Sequence, residues 1–130
     1  EAPPGFMLVV SYNPGYQNLL KSMKPSTRQR FVAMSFGFPA PELETDILCG
    51  ETGIERDLGE RLVGLANALR ALKDHDLEEA ASTRLLVYTA RLVQSGFDLH
   101  QACIAALVEP LSDDPETIDA LREVIDASIG

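Results

Sequence analysis

The sequence predicts an α/β segment that is followed by a mostly helical domain. Two apolar runs, over residues 6–10 and 31–38, predict the α/β segment, and turn-forming and basic residues separate them. In the remainder of the chain, leucine and isoleucine recur every three or four residues, which is typical of amphipathic helices. We therefore expect an α/β part over residues 1–38 and a helical bundle over residues 39–130.

The first apolar run, Phe6–Val10, has almost no polar alternation, which is typical of a strand buried on both faces of a parallel sheet. A polar tripeptide ending in Asn13 follows it, and Pro14-Gly15 then predicts a sharp turn. Ligands of open α/β sheets bind beyond the carboxyl ends of the strands, so we expect Asn13 to face a ligand. The alternative is that the Asn13 side chain only initiates the turn.

The second apolar run is preceded by a short basic segment. Pro25 predicts the start of a short helix, which places Arg28 and Arg30 at its end and just before the strand Phe31–Phe38. Two strands alone do not make a stable sheet. We therefore expect residues outside this chain, or a second copy of it, to complete the sheet. The abrupt start at Glu1 also favours a piece of a longer chain.

Five helices are predicted after the Pro39–Pro41 boundary. Glycines that follow the apolar periodicity, at Gly53 and Gly96, predict left-handed helix ends. In the first of these helices, we expect Leu43, Ile47 and Leu48 to lie on one face. In the second, the apolar residues recur at spacings of 4, 3, 4 and 3 and form one narrow seam, which consists of Leu58, Leu62, Leu65, Leu69 and Leu72. The predicted ranges are 41–51, 55–73, 82–95, 98–108 and 115–129.

Charge is distributed unevenly along the 130 residues, whose formal net charge is −9. Residues 1–38 contain four basic residues and one acidic residue, a net charge of +3, whereas residues 39–130 contain seven basic and nineteen acidic residues, a net charge of −12. A small basic island in an acidic chain argues against nucleic-acid binding and suits a localised anion such as a nucleotide phosphate. A solvated cationic helix face is the alternative.

The composition also bears on membrane association and on metal binding. No run approaches the roughly 20 apolar residues of a membrane span, so we expect no membrane association. Cys49 and Cys103 lie among apolar neighbours without ligand spacing, which favours buried thiols in a reducing cytoplasm and no metal site.

Three motifs in order carry a family resemblance: SYNPGY from Ser11, STRQRF from Ser26, and STRLLVYTARL from Ser82. Together they resemble the second half of MoxR-type AAA+ ATPases, most similarly those of the CbbQ/NirQ/NorQ branch. The resemblance covers essentially the whole chain. It implies that residues 1–38 are the C-terminal part of the AAA+ P-loop core, with two parallel-sheet strands, and that residues 39–130 are the helical-bundle lid domain.

In the α/β part, the resemblance implies two catalytic positions. Asn13 matches sensor 1, whose amide orients the attacking water near the γ-phosphate of ATP. Arg30 matches the arginine finger, which reaches the nucleotide site of the neighbouring subunit and stabilises the charge of phosphoryl transfer. Arg28 lies two residues away and is an alternative finger. A surface ion pair is the other interpretation of Arg30.

In the lid, the resemblance implies that Arg84 is sensor 2, the arginine that contacts phosphate in its own subunit. A cation in the first turn of a helix opposes the helix dipole, so an arginine there favours an anionic ligand or an acidic partner. Pairing with Glu78 or Glu79 is the alternative.

The resemblance implies an ATPase that uses ATP and magnesium and assembles as a ring, which is expected to be a hexamer. Relatives of this kind act as chaperone-like activators with a von Willebrand factor A-domain partner, on targets such as rubisco or nitric oxide reductase. This chain lacks the GxxxxGK[ST] loop and the apolar run ending in Asp-Glu, which the resemblance places upstream. We therefore expect the chain alone to be inactive. The alternative function is a non-enzymatic helical protein-interaction module.

Overall fold

The computed structural model describes residues 3–11, 23–72 and 80–129 of the chain. The chain divides into two compact units, Glu1–Phe36 and Gly37–Gly130. Asn13, the predicted sensor 1 residue, lies outside the described residues.

In the first unit, the described residues contain one short helix, α1 (Pro25–Arg28), which begins at Pro25 as predicted. Arg28 lies in its last turn, and Arg30 follows two residues later in a turn. The prediction of two parallel-sheet strands is wrong. Residues 6–10 and 31–38 form no strand, and the described part of the chain contains none.

The two apolar runs are exposed rather than buried. Phe6 and Val9 in the first run, and Val32 and Phe36 in the second, all expose large apolar side chains. A strand requires hydrogen bonds from a neighbouring strand to its backbone N–H and C=O groups. Both segments are hydrophobic, but neither has a strand partner within the described residues.

The second unit is helical, and its five predicted helices are confirmed to within a few residues at their ends. Among the described residues, none of these helices has both the length and the apolar character needed to cross a membrane. Their bounds are α2 (Pro41–Thr52), α3 (Arg56–Ala71), α4 (Thr83–Gln94), α5 (Leu99–Cys103), which continues as a π-helical segment (Ile104–Val108), and α6 (Pro115–Ile129).

Local signals set the ends of these helices. Gly53 ends α2 in the left-handed conformation at φ 74°, and its N–H donates to the Cys49 carbonyl, as in other glycine-terminated helices. At the starts of α5 and α6, the side chains of Asp98 and Asp114 accept backbone N–H groups of the first turn. Gly96, with φ 98°, follows α4.

The predicted seam of α3 is the centre of the core. Leu62, Leu65 and Leu69 are buried, and α3 packs against α2, α4 and α6. The buried core also takes in residues of all the other helices of the unit, among them Leu48, Leu86, Cys103, Leu107, Leu121 and Ile125. The second unit is therefore a helical bundle built around α3.

The apolar face that the sequence predicts for α2 is only partly buried. Leu48 is buried, but Leu43 and Ile47 are 55% and 37% exposed. Glu44 and Thr45 take inward positions instead. Thr45 donates its hydroxyl to the Pro41 carbonyl, which satisfies it within the helix. Glu44 has a partner on another helix, and its interactions belong to the candidate site.

The π-helical segment after α5 brings three consecutive residues, Ala106, Leu107 and Val108, into buried positions. Its wider turn is closed by the Glu109 N–H, which donates to the Ile104 carbonyl five residues earlier at 3.1 Å. Three successive helical side chains cover more than half of the circumference, so this segment is surrounded by the core on most sides.

Helices α2 and α3 approach each other closely at Gly59. A Cβ atom at this position would lie 3.1 Å from Cys49 Sγ and 3.2 Å from Thr45 Cγ2. Gly64, on the same helix, is exposed and has no such neighbour within 4 Å. Packing therefore opposes a Cβ atom at the first position and not at the second.

This difference predicts opposite consequences for two alanine substitutions. Gly64→Ala should raise the free energy of unfolding by about 1 kcal/mol, because alanine favours the helix. Gly59→Ala has the same helix preference but must displace Cys49 and Thr45, so it should unfold at a clearly lower urea concentration than Gly64→Ala. Equal stabilisation of both variants, measured by circular dichroism, would contradict the close approach.

Candidate functional site

Arg84 occupies the second position of α4 and is exposed. The Ser82 side chain caps this helix by accepting the Leu85 N–H at 3.4 Å. No ion pair of the described residues includes Arg84, and its alternative partners Glu78 and Glu79 lie outside the described ranges. Arg84 thus lies in the first turn of a twelve-residue helix.

The other candidate residues are placed as follows. Arg28 and Arg30 are exposed in the first unit, and they form no ion pair with any residue that the structure describes. Asn13 is outside the described residues, and Arg84 belongs to the second unit. The catalytic roles of Asn13, Arg28 and Arg30 and the nucleotide-binding role of Arg84 therefore stay predictions.

The structure also contains a buried ion pair, which was not predicted and which is hydrogen-bonded to Thr83, the residue before Arg84. The Glu44 and Arg70 side chains are 0% and 8% exposed, and they form two parallel hydrogen bonds of 2.7 Å each. This bidentate geometry is the strongest arrangement of a guanidinium and a carboxylate. It joins α2 to α3 across 26 residues of sequence.

The Arg70 guanidinium has three further contacts. Its Nε donates to the Ala81 carbonyl at 2.8 Å, and one terminal nitrogen also donates to Asn67 Oδ1 at 3.0 Å. The Phe38 ring covers its face, with Arg70 Cζ 3.8 Å from the ring centroid, which is cation–π geometry. Arg70 therefore links α3 to the segment before α2 and to the segment before α4.

Thr83 completes the arrangement from the start of α4, because its hydroxyl donates to Glu44 Oε1 at 2.7 Å. We call Glu44, Arg70 and Thr83, together with the Ala81 carbonyl, the Glu44–Arg70 network. It joins α2, α3 and α4 and ends at the residue immediately before Arg84. Within the described residues, every buried side-chain nitrogen or oxygen atom has a hydrogen-bond partner.

The network keeps Glu44 ionised. Burial raises the pKa of the Glu44 carboxyl, but the hydrogen bonds from Arg70 and Thr83 and the charge of Arg70 together hold that pKa below its usual value. The carboxylate therefore persists at neutral pH, although it is removed from water. Such a pair is strongly coupled, since removal of either partner leaves an uncompensated buried charge.

A sequence signal for this network existed only in part. Glu44 precedes Leu48 by four residues, which places both on the same face of α2. Arg70 directly follows Leu69 of the apolar seam and lies four residues after Ala66. These spacings indicate inward positions for two charged residues, but they do not indicate that the two side chains meet.

The two cysteines are free thiols that differ in burial. Burial raises the pKa of the Cys103 thiol to about 12, so this thiol is protonated at neutral pH. Cys49 is half-buried against Gly59. The residues that the structure describes contain no cluster of His, Cys, Asp and Glu side chains arranged to hold a metal ion.

Comparison with known proteins identifies the family to which this bundle belongs. The model of the CbbQ/NirQ/NorQ C-terminal family matches residues 44–128, which include Glu44, Arg70, Thr83 and Arg84. The chain is a member of the CbbQ/NirQ/NorQ family. This match confirms the resemblance that the three sequence motifs indicated.

Several relatives in this family are similar along nearly the whole chain. The denitrification regulatory protein NirQ of Pseudomonas aeruginosa is 60% identical over 129 residues, which are 99% of this chain and 50% of NirQ. Protein NorQ of Paracoccus denitrificans is 56% identical over 130 residues, which are 100% of this chain and 48% of NorQ. Protein CbbQ of Hydrogenophilus thermoluteolus is 48% identical over 122 residues, 94% of this chain and 46% of CbbQ. The chain thus spans about half the length of these relatives.

The lowered pKa of Glu44 predicts acid sensitivity of the bundle. Because the folded-state pKa lies below the unfolded value, ionised Glu44 stabilises the fold at pH values above about 4.5, the usual glutamate pKa, and this contribution is lost as the pH falls through the folded-state pKa. Glu44→Gln should flatten this part of the stability curve, whereas Glu42→Gln, at an exposed position of α2, should keep it. Unfolding by urea at a series of pH values measures both, and an unchanged acid dependence in Glu44→Gln would contradict the assignment.

The buried pair also predicts a non-additive pair of substitutions. Glu44→Leu or Arg70→Met alone should each lower the free energy of unfolding by about 3–5 kcal/mol, because each leaves one buried charge unpaired. The double variant should recover most of this loss, since neither charge then remains. A double-mutant cycle of urea unfolding tests the pairing, and additive losses would show that the two side chains act independently.

Proposed function

We propose that this chain is the sensor, arginine-finger and lid portion of an AAA+ ATPase that activates or matures a target enzyme. The main support for this proposal is the family match over residues 44–128, which include Arg84 in the first turn of α4. In this proposal, residues 1–38 belong to the C-terminal part of the nucleotide-binding core, and residues 39–130 are the lid.

Arg84 acts as sensor 2 and contacts the phosphates of ATP in its own subunit. Its guanidinium supplies several donors to phosphate oxygens, and the adjacent N-terminus of α4 favours the same negative charge. ATP and magnesium are held mainly by residues outside this chain. The lid therefore contributes one positive charge to a site whose main phosphate contacts come from elsewhere.

The remaining candidates act on the chemical step. Asn13 orients the attacking water in the same subunit, and Arg30 acts from the neighbouring subunit of a ring, expected to be a hexamer. Such arginine fingers contribute about 10³–10⁵ in rate in other nucleotide hydrolases. Arg28 is the alternative finger, because it is exposed on the same short segment.

The proposed ring works in the cytoplasm as a chaperone-like activator with a von Willebrand factor A-domain partner. Two NirQ proteins that are named as denitrification regulatory proteins share 60% and 59% identity with this chain, compared with 48% for CbbQ. We therefore favour a target enzyme of denitrification, with nitric oxide reductase as the first candidate and rubisco as the second.

A subunit-mixing experiment on the full-length protein tests the proposed finger. Rings formed from Arg30→Ala subunits alone, or from subunits with a defective phosphate loop alone, should have little ATPase activity. Mixed rings should regain activity, because some interfaces then join an intact finger to an intact loop. Phosphate release at several mixing ratios measures this recovery, and Arg91→Ala, at an exposed position of α4, is the matched control.

Two results would contradict the assignment in different ways. No recovery at any ratio, with rings still forming, would exclude action of Arg30 across the interface, and the same experiment with Arg28→Ala would then test the neighbouring arginine. Full ATPase activity of the unmixed Arg30→Ala and Arg28→Ala rings would show that neither arginine acts in catalysis, and it would favour a non-enzymatic interaction role for this part of the protein.

A further inference from the structure

The three residues that precede Arg84 are each held by a specific contact. The Ala81 carbonyl accepts from Arg70, the Ser82 side chain caps α4, and the Thr83 hydroxyl donates to Glu44. Ala81 is also 1% exposed. The backbone from which the Arg84 side chain extends is therefore fixed by contacts to two other helices.

These contacts are stronger than a surface arrangement would be. Glu44 and Arg70 are almost completely buried, and hydrogen bonds that involve charged groups are strengthened where water is excluded. The Phe38 ring covers the remaining face of the Arg70 guanidinium. The start of α4 is thus attached to a rigid charged centre rather than to apolar side chains alone.

An exposed arginine benefits from such an attachment. A long side chain loses conformational freedom when it binds a ligand, and the loss is smaller if its backbone is already fixed in the required position. A movement of about 1 Å at the start of α4 would displace the guanidinium from a phosphate by at least as much, which is enough to impair a site that depends on orientation.

We propose that Glu44, Arg70 and Thr83 are positioning residues that hold Arg84 in place for the phosphates of ATP. This inference rests on the proposed function, in which Arg84 contacts nucleotide. It assigns the buried charges a role in binding besides their role in stability. Thr83 is the most informative member, because its hydroxyl can be removed without leaving either charge unpaired.

The test uses the full-length protein and measures the affinity for ATP with magnesium and the KM and kcat for ATP hydrolysis. Thr83→Val removes the hydroxyl and should weaken ATP binding by about tenfold, within the usual range for mutations that act through another residue. Thr83→Ser keeps a hydroxyl and should bind ATP like the parent protein.

A matched control is available on the same helix. Thr89 is buried and donates its hydroxyl to the Leu85 carbonyl, remote from the Glu44–Arg70 network. Thr89→Val should lower the unfolding midpoint without changing ATP affinity. Arg70→Lys is a second variant for the case in which Thr83→Val fails to fold, because lysine keeps the charge but loses the bidentate bonds, and it should also weaken ATP binding.

A double-mutant cycle separates positioning from general stability. If Thr83 acts through Arg84, Thr83→Val should weaken ATP binding in the parent protein but not in an Arg84→Ala background. This result, with recovery in Thr83→Ser, supports the inference. An affinity of Thr83→Val equal to that of Thr89→Val would overturn it, as would an undiminished effect in the Arg84→Ala background.

The same measurements distinguish the inference from the proposed function. If Arg84→Ala alone binds ATP like the parent protein, both the proposed role of Arg84 and the positioning role fail. If Arg84→Ala weakens binding while Thr83→Val and Arg70→Lys do not, only the positioning role fails.

Discussion

The buried pair of Glu44 and Arg70 is the constraint around which the helical unit is arranged. Removing two charges from water costs several kcal/mol for each ion, and only a complete set of partners offsets this cost. These partners come from three helices and their connecting segments. Besides the Glu44 carboxylate, Arg70 donates to the Ala81 carbonyl and to Asn67, and Glu44 also accepts from the Thr83 hydroxyl. Apolar side chains tolerate small shifts between helices, whereas a bidentate ion pair does not. The charged centre therefore fixes how α2, α3 and α4 fit together, and the apolar residues of all the helices form the core around it.

Local features of the fold were predictable from sequence because local physics determines them. The leucine spacing of α3 defines one buried stripe, and Leu62, Leu65 and Leu69 occupy it. Likewise Gly53 ends α2 because glycine adopts positive φ without steric cost, and Asp114 begins α6 because its carboxylate accepts orphan N–H groups. Each of these signals involves residues that are within a few positions of one another. The family was also predictable, because three short motifs occur in the expected order.

Longer-range features were not predictable. The apolar runs over residues 6–10 and 31–38 are hydrophobic enough for strands, but a strand depends on a partner that its own residues do not specify. Leu43 and Ile47 follow helical spacing, yet Glu44 is buried instead of them. Its charge is neutralised by Arg70, which lies 26 residues away in the sequence. Of the candidate site, the sequence indicated Arg84 and its position in the first turn of α4. The sequence could not indicate the Glu44–Arg70 network, since no residue pattern within one helix specifies contacts among three helices.

The close approach at Gly59 has a mechanical consequence for the bundle. There the Cys49 and Thr45 side chains of α2 pack directly against the backbone of α3, and elsewhere along their length the ion pair joins the two helices. Two helices that are joined at two separate points resist bending and sliding more than a single helix does. Arg70, one partner of the ion pair, also contacts the Phe38 ring and the Ala81 carbonyl. A shift of α2 against α3 would therefore have to disturb the packing at Gly59, the ion pair and the hydrogen bond from Thr83 together.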